Sequence, residues 1–485
     1  MAGSRLTSRR KRSNAPRRGT TPTIINQIAR LISMIVAASG TFKAAAFGQT
    51  PASEKVEQPC EIRPLPGSLN DVLMFNSNSP EVVQTEGILV STFPPEGMAT
   101  PSAHLNLPLE GEFNLFAHHI NTAASGDRPR TLFIGAILNN PGKKKVKVRV
   151  VKAASYVSQP DAPFIKLPEL VENPEGNVYA GPGDRVMDDF LRGKRQIDWR
   201  RSIVINPGKT KVLFNLPIEV RPIKPALNGR STLVRLKSSG PVYLATLALF
   251  ARSGSSDEET PDLDDWEAIL QKGDLAGPRD KAPTPPGATG NFIYGRVAGV
   301  QRGSNWKAQL TDDPTHKGRL HIPEPGKSFA YPVSTVDHGT FGTQQVQSAP
   351  LSVRYPDTAY GAHGNYGVEY DLSLPLYNDS DTKQTVSVSF DTPIKNDEKK
   401  DYLSFFDPPP SQVFFRGTIE VRYKDDRGGS QHEYLHLVEN RGQKAEPLVT
   451  LTLKPKAKRM VKIRFFYPPD ATPPQVLSVT TQGSA

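Results

Sequence analysis

The segment His432-Glu433-Tyr434-Leu435-His436 has the spacing of a zinc hydrolase motif. On a helix its two histidines would lie one turn apart and bind one metal ion, with Glu433 as general base. That chemistry depends on a helical backbone. Ser430 and Glu433 have capping-box spacing and Gly442 supplies a stop, which would suit a short helix. Against this, residues 419–423, a turn at 424–430 and residues 432–438 read as a hairpin. In a strand His432, Tyr434 and His436 share one face, and Leu435 and Leu437 share the other. Glu439 also stands where the extended zincin pattern needs Gly. A hairpin is the expected state, with catalytic Glu433 and metal ligands His432 and His436 held as the alternative.

Three further groups carry polar chemistry. His118 and His119 are consecutive, so in a strand they face opposite ways; a metal site would have to join His118 to His363 from the Gly- and Tyr-rich loop at 360–370. Gly181-Pro182-Gly183-Asp184-Arg185, followed by Asp188 and Asp189, offers carboxylates to calcium or a sugar but lacks the oxygen-ligand spacing of an EF-hand. Tyr355, Tyr360, Tyr366 and Tyr370 cluster in sequence, and exposed rings of this kind stack on sugar faces. The expected binding residues are therefore Tyr360, His363, Asn365, Tyr366, Asp184 and Arg185. A carbohydrate-active hydrolase using carboxylates near Asp184 and Asp357 is the second enzymatic alternative. No G-x-S-x-G elbow, P-loop or dinucleotide fingerprint occurs, and no cofactor is indicated.

The elements that must position these residues are short strands. With 45 Pro, 38 Gly and 37% hydrophobic residues among 485, the composition suits many strands joined by turns. Residues 131–139 (TLFIGAILN), Asn140-Pro141-Gly142 and residues 145–151 (KVKVRVV) read as a hairpin with one wet face. Residues 202–205, Asn206-Pro207-Gly208 and residues 211–216 repeat that grammar. Residues 233–236, Ser238-Ser239-Gly240 and residues 241–250 close the set. The same order returns at 370–376 and 384–390, then at 448–453 and 459–466, which implies a diverged internal duplication. Between the two sets, Thr260, Pro261 and Asp262 open a helix whose Trp266, Ile269 and Leu270 share a face and which Gly273 stops. A Pro- and Gly-rich strap at 279–290 follows, then strands that read as a bridging sheet.

The fold class expected is all-β: two immunoglobulin-like β-sandwich domains with a mixed bridging region containing one short helix. The divisions are a signal peptide at 1–48, an extended segment at 49–110, the first sandwich at 111–252, the bridge at 253–354 and the second sandwich at 355–485.

The formal charge of +11 is concentrated at the start of the chain. Nine Lys and Arg and no Asp or Glu precede Gln49; removing those nine from 60 leaves 51 against 49 acids, a net +2. Nucleic-acid binding is therefore not the expectation. Arg9-Arg10-Lys11-Arg12 and Arg17-Arg18 form a basic region ahead of an apolar run at 31–42, with small residues at 44–48 for cleavage after Ala46 or Gly48. The run is about a dozen residues, against roughly 20 for a membrane span. Export without a later transmembrane segment follows, to the periplasm, outer envelope or extracellular space. A lone Cys60 cannot form an intrachain disulfide.

Several phrases, among them Phe75-Asn76-Ser77-Asn78-Ser79-Pro80, Val178-Tyr179-Ala180-Gly181-Pro182-Gly183-Asp184-Arg185 and Tyr355-Pro356-Asp357-Thr358-Ala359-Tyr360, resemble a family of exported cyanobacterial proteins, domain of unknown function 3370. The resemblance covers essentially everything after the leader. It implies an envelope or extracellular setting and brings no reaction or substrate. The expected function is a non-enzymatic envelope or secreted protein whose partner is a surface polysaccharide or protein.

Overall fold

The alternation of Val146, Val148 and Val150 with Lys147 and Arg149 produces a strand, Val146–Val157, in which those three valines are buried and those two charges face water. Its partner is not the strand that precedes it. In the computed structural model, which describes residues 53–123, 129–253, 258–288, 290–312 and 318–483, Val146–Val157 pairs antiparallel with Ser202–Ile205, while Leu132–Asn139 pairs with Thr210–Ile218. The turns at 140–145 and 206–209 are thus arches that carry the chain from one sheet layer to the other, and both expected hairpins are corrected. An arch and a hairpin need the same turn residues, so composition cannot separate them. The arches are fastened side by side by Asn140. Its side chain donates to Lys144 O (2.8 Å) and Ile205 O (3.0 Å) and accepts from Gly142 N (2.9 Å).

The second half repeats this plan. Glu369–Tyr377 pairs with Lys458–Phe466, and Gln384–Asp391 pairs with Val449–Leu453. Asn378 reproduces Asn140, donating to Thr382 O (2.8 Å) and Leu453 O (3.0 Å) and accepting from Ser380 N (3.0 Å). The last strands correspond too: Leu227–Phe250 pairs with Val146–Val157, and Gln475–Thr481 with Gln384–Asp391. Repetition of both pairing order and anchoring asparagine is the structural mark of the internal repeat.

Leu227–Phe250 differs from expectation in being one strand of 24 residues. Ser238-Ser239-Gly240-Pro241 is an irregularity in it, not a turn. Before it the strand pairs with Leu109–Thr122 and Val146–Val157; after it the strand pairs with Leu132–Asn139 and Gly87–Ser91. The intervening segments are likewise shared. Ala298–Arg302 pairs with Leu73–Ser77 in the first half, whereas Asn305–Gln309 and Ser328–Val333 extend sheets of the second. No separate bridging sheet forms among the described residues, and Pro51–Ala485 make one compact unit. The leader at 1–48 lies outside the described residues.

Helix α1 (Pro182–Leu191) went unanticipated, since proline at N1 and glycine at the cap look like a loop in sequence. Its Val186, Met187, Phe190 and Leu191 join a core with Phe116, Ala154 and Leu233 of the first half and Phe415, Ile419 and Phe465 of the second. Helix α2 (Leu263–Lys272) begins two residues later than the composition suggests, because Asp262 caps it by accepting from Asp265 N at 3.0 Å. It lays Trp266 on Leu132–Asn139, where a Cβ on Gly135 would stand 2.5 Å from the indole.

Candidate functional site

The zinc-motif segment is part of strand Ser430–Asn440, paired with Val413–Lys424. His432 and His436 share a face, but each has a separate partner. His432 Nε2 donates to Glu420 Oε1 at 2.6 Å, while His436 Nε2 donates to Asp184 Oδ2 at 2.7 Å with both side chains wholly buried. Glu433 accepts from the Tyr423 hydroxyl at 2.8 Å. The extended backbone separates the two histidines by twice the two-residue strand repeat, so they cannot converge on one ion as helical neighbours do. Among the described residues no group of three His, Cys, Asp or Glu side chains is arranged to hold a metal. The zincin alternative is corrected on that geometry.

Asp184 is corrected as well. It sits in the first turn of α1, where Oδ2 also accepts from Ala180 N at 2.8 Å. Here a carboxylate and an imidazole from the two expected sites form one internal contact tying α1 to the second half. Arg185 lies over the rings of Tyr156 and Tyr179, 4.0 and 4.6 Å from their centroids. Neither residue faces a ligand space. Asp357 is held by Nε and Nη2 of Arg279, at 2.7 and 3.1 Å, and the hydrogen bond from that guanidinium lowers its pKa.

His118 donates or accepts at Ser231 Oγ (2.8 Å) and lies 3.7 Å from Glu81. His119 contacts Ser77 Oγ and Pro80 O, both at 2.9 Å. Burial pulls these imidazoles down to about 4 and about 3, so both are neutral at pH 7. Of the tyrosines, Tyr355 and Tyr370 are fully buried core residues. Tyr360 is exposed, but Arg354 covers its ring at 3.8 Å and it is not among the residues lining the cavity described below. Those three positions are corrected.

What remains of the expected set comes together at a cavity of about 210 Å³ between the halves. Its walls are Asn76 and Asn78 from the first half, residues 294–297, residues 362–366, and Lys395 with residues 471–473 from the second. His363 packs on Tyr294 with ring centroids 4.9 Å apart, and Phe292 meets Tyr294 edge-on at 4.8 Å. Burial lowers the His363 pKa, leaving a neutral ring. Tyr366 turns a half-buried ring to the cavity and donates its hydroxyl to Ala471 O at 3.2 Å. Asn365 lines the wall, yet its amide is occupied by Ala349 N, Gln347 O and the Tyr370 hydroxyl. With φ at 49° it shapes the loop rather than greeting a ligand.

Lys395 reaches over Tyr294, its Nζ 5.3 Å from the ring centroid and 3.4 Å from the hydroxyl. Arg296 is fixed by Glu81 and by Asp280, whose other oxygen accepts from Ser79 Oγ at 2.7 Å. Asn78 is 4% exposed and its Oδ1 has no hydrogen-bond partner. A buried amide carbonyl left unpaired costs about 1–3 kcal/mol, a cost that a bound hydroxyl or water would relieve.

A family described as protein of unknown function (DUF3370) matches residues 60–481. The chain belongs to the DUF3370 family. No curated protein matches this DUF3370 chain. Among solved structures, Lac15 from a marine microbial metagenome is 10% identical with a TM-score of 0.11; the match covers 78% of this chain and 54%, about half, of that one. Procruciferin, the 11S globulin of Brassica napus, is 9% identical with a TM-score of 0.10, covering 78% of this chain and 84% of that one. Likeness at this level carries no argument about fold or function.

Sequence reasoning found the loop of His363 and Tyr366 and missed Tyr294, Arg296, Asn78 and Lys395. The available signal was Phe292-Ile293-Tyr294, two aromatics at alternate positions emerging from a Pro-rich strap.

Proposed function

We propose that the protein is an exported, non-catalytic component of the cell envelope that binds saccharide in the cavity between its two sandwich-like halves. The observation that carries this reading is the aromatic wall of Tyr294, His363 and Tyr366, with the cations Arg296 and Lys395 beside it in the same cavity. A sugar ring has apolar C–H faces that lie on aromatic rings and hydroxyls that pair with polar groups. The three rings suit the first requirement, and Arg296 and Lys395 offer polar donors for the second. About 210 Å³ is below the roughly 300–1,000 Å³ of pockets that enclose drug-sized ligands, which suits one sugar unit or a chain end. The leader supports export, as does the resemblance to exported cyanobacterial proteins, and the immunoglobulin-like reading of each half suits a module built for recognition.

The test is a glycan array probed with residues 49–485 and with the variants Tyr294→Ala and His363→Ala, each checked for wild-type circular dichroism. A saccharide bound by the parent and lost about tenfold or more in the folded variants supports the reading, tenfold being about 1.4 kcal/mol. Binding that both variants retain would place the ligand elsewhere and overturn it.

A further inference from the structure

We infer that a second surface, formed where the outer faces of the two halves meet beyond the C-terminal end of α1, binds an acidic polysaccharide along its length. This surface is independent of the cavity. It is marked by like charges set directly opposite each other on paired strands. In the first half Lys152 faces Arg235 and Arg149 faces Lys237; in the second half Arg422 faces Lys462. Cross-strand pairs of one sign destabilise a sheet, and three on one surface have no folding rationale of their own.

Glu369 joins the two sets, contacting Arg235 at 3.2 Å and Arg464 at 3.4 Å. Arg464 also donates to Leu191 O at 2.8 Å, and Lys152 to Phe190 O at 3.3 Å, so both cations rest on the carbonyl end of α1. Burial, and then the nearby Arg235, lowers the Lys152 pKa, so the cations crowd one another here. The carboxylates within the surface are Glu112, Glu369, Glu420 and, opposite Arg464, Asp371, paired with Lys237, with Arg235 and Arg464, with Arg422 and Arg464, and with Lys307. Lys152, Arg149 and Lys462 have no carboxylate partner among the described residues. The three like-charged pairs with Arg464 and Lys307, set against those four carboxylates, carry a formal +4, more than the +2 of the whole chain after residue 48.

The spacing of these cations suits a linear polyanion. Neighbouring strands lie about 4.8 Å apart and alternate residues about 6.7 Å apart along a strand, which gives a regular lattice of charge. Single-stranded nucleic acid is the poorer fit, because such sites interleave cations with open aromatic platforms. Beside Arg422 the rings of His432 and Tyr434 pack on each other with centroids 4.9 Å apart, and Arg192 covers Tyr434 at 3.9 Å.

The experiment is affinity for polygalacturonate measured between 50 and 200 mM salt, with neutral dextran and single-stranded DNA as comparisons. With four net charges engaged and about 0.7 counterion released per charge, the log–log slope should be near −3, close to a 50-fold loss over that range. The variant Arg149→Ser/Lys237→Ser/Lys462→Ser alters three exposed side chains and should flatten the slope to about −0.7. Lys209→Ser/Lys211→Ser/Lys454→Ser removes equal charge elsewhere and should leave it unchanged, as should Tyr294→Ala. Circular dichroism confirms that each variant is folded. Equal losses in the two triple variants, no binding at 50 mM salt, or tighter binding of DNA than of polygalacturonate would each overturn the inference.

Discussion

Replacing His436 with alanine separates a structural reading of the histidine pair from a metallic one. His436 donates to Asp184 at 2.7 Å with neither side chain accessible to solvent. Its removal leaves the Asp184 carboxylate buried with Ala180 N as its remaining hydrogen-bond donor. Breaking one side of a buried pair typically costs about 3–5 kcal/mol, a large part of the stability of an ordinary protein. His432→Ala should behave differently. That side chain is 47% exposed, and Glu420 keeps Arg422, Arg464 and Tyr434 after it is gone. Loss of about 0–1 kcal/mol is expected. Urea unfolding of the two variants reads the difference directly, and elemental mass spectrometry on the same samples reads zinc. The reasoning fails if the two variants unfold together, or if the parent carries one zinc that either substitution removes.

The remaining predictions concern a buried carboxyl between the halves and the seat of α2. Burial pushes the Asp470 carboxyl from 3.8 up to about 6, with Arg416 opposing. A folded pKa above the unfolded one means that stability is fully present below about pH 4 and is lost as pH rises through about 6. At 1.36 kcal/mol per unit the loss is about 3 kcal/mol, so Asp470→Asn should match wild type near pH 4 and exceed it by up to that amount at pH 7. A difference between the two that does not vary with pH in thermal or urea unfolding would refute this. Gly135→Ala should drive a methyl into the Trp266 ring, 2.5 Å from the nearest atom, and cost about 1–3 kcal/mol with loss of the Trp near-ultraviolet signal. An unchanged spectrum and unfolding midpoint would show that α2 does not pack there.

Strands were legible in the sequence and their partners were not. Val146, Val148 and Val150 announce a strand by period, but nothing local says that the chain crosses to the opposite layer at Asn140 instead of turning back. That information lies in Ile205 O, 65 residues away, and in the matching contact of Asn378 with Leu453 O, 75 away. The internal repeat could be read because both halves preserve the order of strands and turns. Helix α1 was hidden by its own Gly-Pro-Gly opening, and with it the partnership of Asp184 and His436 across 252 residues. For the cavity, the loop of His363 and Tyr366 stood out by composition. Tyr294 and Asn78 did not, because an aromatic after a linker and an asparagine after a strand are ordinary until the fold sets them around one cavity. The cross-strand charge pairs were invisible for the same reason, since register decides whether two lysine-rich strands oppose like or unlike charges.

The cavity between the halves is the central claim, and a crystal structure with the tightest saccharide from the array tests it most directly. The expected result is density for one sugar ring lying along Tyr294 and His363, with a hydroxyl at hydrogen-bond distance, about 3 Å, from Arg296 or Lys395. A saccharide bound at any other surface, with the cavity holding only water, would contradict the account.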